Sequence, residues 1–321
     1  MNHAYKQILA MVLLLAIGLL APQAIAKQQS VEQRMEVPTT IIVSLENMRG
    51  EVEIVGTDDN LAKVSGRLDE YATGLTFERD GNNLTIRVDM PKRGNFSGQQ
   101  GSALRVELPR RAELHVTGVS SDFTVYNFSS QVRVNTVSGD IRAESLEGQL
   151  RLSTVSGDVQ SRKLAGVIAL KSVSGDVVDH ASTASSASYT STSGDVEVST
   201  QAQEVTAESV SGDVEMELGA VMSLQIKSVS GDVSAQLQLL EQGRIEANSV
   251  SGNVELAFVG ALDATLSADV SGGGTIINKL NDAQARESEW GVGANLETKL
   301  GNGAGHIELS TMSGDIIVAN K

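Results

Sequence analysis

Apolar and polar residues alternate with a period of two along most of the chain, in short runs separated by turn residues. The pattern comes into register on a recurring phrase, Val-Ser-Gly-Asp-Val and its close variants. Its glycines are Gly139, Gly157, Gly175, Gly194, Gly212, Gly231, Gly252, Gly272 and Gly314, with successive spacings of 18, 18, 19, 18, 19, 21, 20 and 42. The gap of 42 reads as two units of 21 with a degenerate middle phrase. Val119-Ser120-Ser121-Asp122-Phe123 reads as an earlier degenerate copy. Seven and five residues before the glycine stand apolar pairs such as Val132/Val134, Leu150/Leu152, Ile168/Leu170 and Leu224/Ile226. Three before it stands a small hydroxyl residue, as in Thr136, Thr154, Ser172 and Ser209. Two and four after it stand Ile141/Ala143, Val196/Val198, Val214/Met216 and Val254/Leu256.

This alternation predicts two short strands per unit, because successive side chains of a strand point to opposite faces. A helix would need apolar residues three and four apart. One such unit cannot bury its apolar face alone, whereas stacked copies enclose a continuous core. The expected fold is therefore an all-β, parallel β-solenoid of about ten rungs, each 18–21 residues long. The rungs should occupy residues 129–321, with a cap insertion around 278–305, behind an irregular β cap at 37–128. Within the cap, Asp80-Gly81-Asn82-Asn83 signals a hairpin turn and Pro91 to Ser102 a Gly-, Gln- and Ser-rich loop. Asp179 to Ser188, polar and small, reads as a loop-like side of one rung.

Composition adds to this picture. One Trp, four Tyr and five Phe in 321 residues suit a narrow interior lined by Val, Leu, Ala, Ser and Thr, in which large rings would not fit. The chain has no Cys, which excludes disulfides and thiolate sites. A net charge of −15 argues against a nucleic-acid partner, whose phosphates need clustered Lys and Arg. Residues 1–26 read as a signal peptide: Lys6, an apolar run from Ile8 to Ala21, Pro22, then Ala24-Ile25-Ala26 before the cleavage point. That run covers roughly 21 Å as a helix, short of the roughly 30 Å hydrocarbon core. The mature chain is expected to have no membrane span, to begin with a flexible linker at 27–36, and to reside in the periplasm, on the cell surface or outside the cell.

Candidate chemistry is sparse. His115, His180 and His306 show no metal-ligand spacing, and no nucleophile motif is present, so the chain is expected not to be an enzyme. Stacking should bring Asp140, Asp158, Asp176, Asp195, Asp213 and Asp232 into one row. Carboxylates about 5 Å apart repel by roughly 1 kcal/mol in water. Calcium, a hard cation that takes carboxylate oxygens, would relieve this, as would local hydrogen bonding in an Asx-type turn. Asn253 and Gly273, standing where Asp is expected, would limit the row. Trp290 either covers core in the C-terminal insertion or stacks on a ligand. Gly301-Asn302-Gly303-Ala304-Gly305 leads into a strand, which argues against a phosphate cradle.

The repeated Thr/Ser-Val-Ser-Gly-Asp-Val/Ile phrase, the opening Glu46-to-Ile54 segment and the closing run from Gly305 to Ile316 resemble the bacterial "putative adhesin" family of exported β-strand repeat proteins. The resemblance covers residues 37–321 and implies export and binding, with no catalytic residues to transfer. The expected role is multivalent display of repeated polar faces to an envelope or extracellular glycan or protein. Two other readings are a periplasmic accessory or stress-related factor that binds one protein, and a polysaccharide-active β-helix enzyme using its acidic groups.

Overall fold

The computed structural model describes residues 28–93, 96, 100–287 and 292–321. The expected signal segment and Trp290 lie outside these. Every regular element among the described residues is a strand, and the 24 strands form one continuous, mostly parallel sheet. No helix among them is long and apolar enough to cross a membrane.

Seven strands build the N-terminal end: β1 (Ser30–Glu36), β2 (Ile42–Thr57), β3 (Leu61–Arg67), β4 (Gly74–Asp80), β5 (Asn83–Asp89), β6 (Ser102–Pro109) and β7 (Glu113–Tyr126). β2 and β7 each run through a corner, so each supplies both sides of a rung, and they pair in parallel from Ile42↔Glu113 to Val55↔Tyr126. The other edge of β2 meets β5 on one side of the corner (Ile42↔Asn83) and β6 on the other (Gly50↔Ser102). The chain thus lays an inner rung first and returns to cover it. β3 lies antiparallel on β6, β1 on β3, and β4 on β5. These antiparallel strands end the parallel stack. Residues 30–36, expected to lie in a flexible linker, are the outermost strand of this cap. Glu32, Arg34 and Glu36 on that strand discourage further edge pairing. The hairpin expected at residues 80–83 joins β4 to β5.

The repeats follow as β8 (Val132–Ser138), β9 (Ile141–Glu144), β10 (Glu147–Ser156), β11 (Val159–Arg162), β12 (Ala165–Lys171), β13 (Val177–Ser193), β14 (Val196–Thr200), β15 (Glu204–Ser211), β16 (Val214–Ser230), β17 (Val233–Ser251) and β18 (Val254–Phe258). Before the corner glycine, Val132, Leu150, Ile168, Ala187, Val205, Leu224 and Ile245 stack in register. After it, Ile141, Val159, Val177, Val196, Val214, Val233 and Val254 do the same. Two side-chain stacks therefore face one buried core. The interior admits more than small residues: Phe123, Phe128, Tyr189 and Phe258 are fully buried. Small neighbours make the room. A Cβ on Gly118 would lie 2.6 Å from the Phe123 ring, and Tyr189 pairs with Ala207. Asp179 to Ser188, expected as loop-like, lies within β13, with Asp179 itself buried.

The C-terminal end has β19 (Ala264–Val270), β20 (Ile276–Asn278), β21 (Arg286–Glu287), β22 (Ala294–Leu300), β23 (Gly305–Ser313) and β24 (Ile316–Asn320). β23 lies between β17 and β19, pairing Ile307 with both Ile245 and Leu266. β24 lies between β18 and β20 in the same way, through Ile316. The 42-residue gap is therefore not two consecutive units. The chain skips one rung position, builds the next, and returns to fill the space. β22 lies antiparallel on β19, and β21 on β22, ending this side of the stack as β3 and β4 end the other. The glycine-rich turn at 301–305 wraps a carboxylate of the chain itself. Asp263 Oδ1 accepts the Ala304 amide at 3.0 Å, and this and neighbouring backbone donors hold the Asp263 carboxyl below its usual range.

The repeated corner as candidate functional site

The corners share one plan. The hydroxyl residue three before the glycine points inward, and in the earlier repeats it donates to the rung before: Thr154 Oγ1 to Gly139 O at 3.0 Å, Ser172 Oγ to Gly157 O at 2.9 Å, Ser191 Oγ to Gly175 O at 3.2 Å. Ser209 Oγ instead donates to Gly212 O of its own corner at 3.3 Å. The glycine lies directly over the preceding corner; a Cβ on Gly212 would fall 2.4 Å from Gly194 O.

The six aspartates do form one row, and the row is hydrogen-bonded end to end. Asp140 Oδ1 accepts the Asp158 amide at 3.1 Å, and the pattern repeats through Asp176 (3.0 Å), Asp195 (2.9 Å), Asp213 (2.8 Å) and Asp232 (2.8 Å). It begins earlier, with Asp122 accepting from Asp140. Asn253 does not interrupt it: its amide N–H donates to Asp232 Oδ1 at 2.8 Å, and its own Oδ1 accepts the Asp315 N–H at 2.9 Å. Gly273 is not the relevant position. Gly274 is the corner glycine there, and Thr275 donates its N–H to Asp315 at 2.7 Å. Each carboxylate thus gains a charge-assisted bond from the neighbouring rung, which offsets the repulsion within the row. Among the described residues no three His, Asp or Glu side chains gather as a metal site requires.

The valine of the phrase is the feature that the sequence reading passed over. With residues seven, five and three before the glycine pointing inward, the residue two before it must point outward. Val119, Val137, Val155, Val210, Val229 and Val250 are exposed, from 41% at Val119 to 48% at Val137. Met48 at one end and Met312 at the other continue the line, and Val173 and Thr192 fill it half-buried. Outward residues on the strands do vary from rung to rung, but at the corner an apolar side chain recurs. At ~4.8 Å per rung the ridge runs roughly 40 Å, beside the aspartate row.

Concave sites are poorer. The cleft of about 580 Å³ near β6 is lined by Glu51, Glu53, Arg105, Asp122, Tyr126 and Arg142. Its two arginines are already paired, Arg105 with Glu107 at 3.1 Å and Arg142 with Asp140 at 3.1 Å. The three histidines are apart from one another, each beside a glutamate: His115 by Glu113, His180 by Glu197, His306 by Glu308.

One titratable cluster is buried inside the repeats. Asp179 Oδ1 accepts the hydroxyls of Ser161 (2.7 Å) and Ser182 (2.6 Å), and Oδ2 accepts that of Tyr189 (2.7 Å). Burial pushes the Asp179 carboxyl up, and the three hydroxyl bonds only partly oppose this. Burial and the neighbouring Asp179 together push the Tyr189 phenol up. A carboxyl raised in the fold stabilises fully below its unfolded pKa of about 3.9, and that contribution fades as pH rises through the folded value. Asp179→Asn is a neutral isostere that can keep the serine bonds. The variant should therefore gain stability relative to the parent as pH is raised from about 4 to 7. Paired urea titrations across that range check this; a difference that does not vary with pH would refute it.

Geometry places the chain in the class of all-β repeat proteins with stacked, mostly parallel strands. Within that class, the family described as Toastrack DUF4097 matches residues 42–319, and the chain belongs to it. Similar solved structures include a "putative adhesin" from Bacteroides fragilis, 13% identical over 92% of this chain and 99% of that one, TM-score 0.40. A "putative adhesin" from Parabacteroides distasonis is 13% identical over 72% and 98%, TM-score 0.46. A "putative lipid binding protein" from the same species is 14% identical over 90% and 96%, TM-score 0.37. No curated protein matches the chain.

Proposed function

We propose that this chain is an exported, non-enzymatic binding protein of the adhesin type, with the repeated corner as its contact surface. The observation that carries the reading is the recurrence, from corner to corner, of an exposed apolar residue beside a ladder carboxylate. A rigid row of like sites suits a polymeric or multivalent partner of the envelope or its surroundings, glycan or protein, because weak contacts at fixed spacing add up. The same recurrence argues against catalysis, which needs unlike groups converging on one point.

The test is retention of the exported chain on glycan and protein arrays, beside a triple variant Val155→Ser, Val210→Ser, Val229→Ser. Retention that the variant loses supports the reading. Silence on every array, equal retention of both chains, or release of sugar products from polysaccharide would overturn it.

A further inference from the structure

The ridge is not chemically uniform along its length, and the difference follows from the register. Two residues after each ladder aspartate stands an outward position that runs Arg142, Gln160, Val178, Glu197, Glu215, Ser234. At the N-terminal end Arg142 is 3.1 Å from Asp140 and matches its charge. Around Asp195 and Asp213 the same position adds a second carboxylate. Asp176, Asp195, Asp213 and Asp232 are exposed there, as are Val210, Val229 and Val250 beside them. The acidic rungs are closer together than the Debye length of about 8 Å, so their carboxylates act as one field. The ladder bonds tie one oxygen of each Asp and thereby hold the row in place before any partner arrives.

We propose that the corner between Asp176 and Asn253 binds a basic, apolar segment of a partner protein, whose apolar side chains cover the valines and whose Lys or Arg groups meet the carboxylates. The proposal rests on the adhesin reading and assigns its partner class. Charge selects this occupant. A second copy of the chain, with a net charge of −15, would bring further carboxylates to this acidic corner, and an anionic membrane would be repelled by it. A neutral glycan would leave the ridge uncovered.

The test uses the full chain and a fluorescein-labelled 14-residue peptide of Leu and Lys, followed by anisotropy. The ridge variant Val210→Ser, Val229→Ser, Val250→Ser should bind tenfold or more weakly. The charge variant Asp195→Asn, Asp213→Asn, Asp232→Asn keeps the ladder acceptors, as Asn253 does naturally. It should lose tenfold in affinity and most of the salt dependence. Val167→Ser with Val259→Ser, exposed but off the ridge, should bind like the parent. A peptide with Glu for Lys, or Ser for Leu, should not bind. Matching thermal melts verify that the variants are folded. No binding to the parent, or equal binding to parent and ridge variant, overturns the proposal. Ridge-dependent capture by phosphatidylcholine or phosphatidylglycerol vesicles without peptide binding would instead assign a membrane. Ridge-dependent retention on a glycan array without peptide binding would sink this partner class and leave the adhesin reading standing.

Discussion

Deleting residues 305–321 is expected to release β19, β20 and β22 along with the strands removed. In a stack that follows chain order, losing the last segment would trim the end and leave the rest intact. Here β23 and β24 are interior. β23 is hydrogen-bonded to β17 on one edge and β19 on the other, and β24 stands likewise between β18 and β20. The deletion also removes Ile307, Leu309, Ile316 and Val318, all fully buried. At roughly 1.5–3 kcal/mol per buried aliphatic side chain, the loss is about 6–12 kcal/mol, as large as the whole stability of an ordinary domain. Residues 264–300 would be left with only their own antiparallel pairing. Hydrogen exchange on the truncated chain should show loss of protection in β19 and β22. The strands from β8 to β16 should stay protected, because each rung contacts only its neighbours. The newly open edges of β17 and β18 should also make the chain prone to association. Unchanged protection across 264–300 would contradict the inserted order.

How much of this was legible beforehand follows from what each signal measures. Alternation around Gly139, Gly157 and the later glycines reports which residues face inward, and those assignments hold for the strand pairs β8/β9 to β17/β18. Alternation does not report which strand lies alongside. Ile307 and Leu266 bury equally well in either order, so the return of β23 into the stack, like that of β6 onto β2, leaves no trace in the hydropathy pattern. The ladder was half legible. Asp was readable as a turn residue, but a side chain that caps the next rung's amide needs only an acceptor oxygen. Asn253 therefore serves as well as Asp, and a substitution that looked like a break is none. Asp179 misled for a different reason. Hydropathy scores a carboxylate among serines as solvated, whereas here three hydroxyls from Ser161, Ser182 and Tyr189 take the place of water. The ridge was within reach: parity alone turns Val137 and its equivalents outward.

Replacing Gly231 by Ala is expected to cost roughly 2–6 kcal/mol, the sum of two separate penalties. The first is conformational: Gly231 has φ of 124°, a region that side-chain-bearing residues rarely adopt. Holding a non-glycine residue there costs about 1–3 kcal/mol. The second is steric, since the new Cβ would fall 2.3 Å from the carbonyl oxygen of Gly212 and 2.7 Å from its carbon. Those atoms are backbone in the neighbouring rung, tied through the Gly212 amide to Ser230 O at 3.1 Å and through the Asp232 amide to Asp213 at 2.8 Å. They cannot swing aside as a side chain would, so the rungs must part, and overpacking of this kind costs about 1–3 kcal/mol more. Gly74→Ala is the matched control, because its Cβ would meet nothing within 4 Å and its φ is not in the positive region. That variant should stay within about 0.5 kcal/mol of the parent. Urea titration gives the global cost. Hydrogen exchange at the Asp232 and Asn253 amides shows whether the damage starts at the corner, where both should lose protection before the strands on either side. If Gly231→Ala and Gly74→Ala melt together, the close stacking of corner glycines is not what limits the spacing of the rungs.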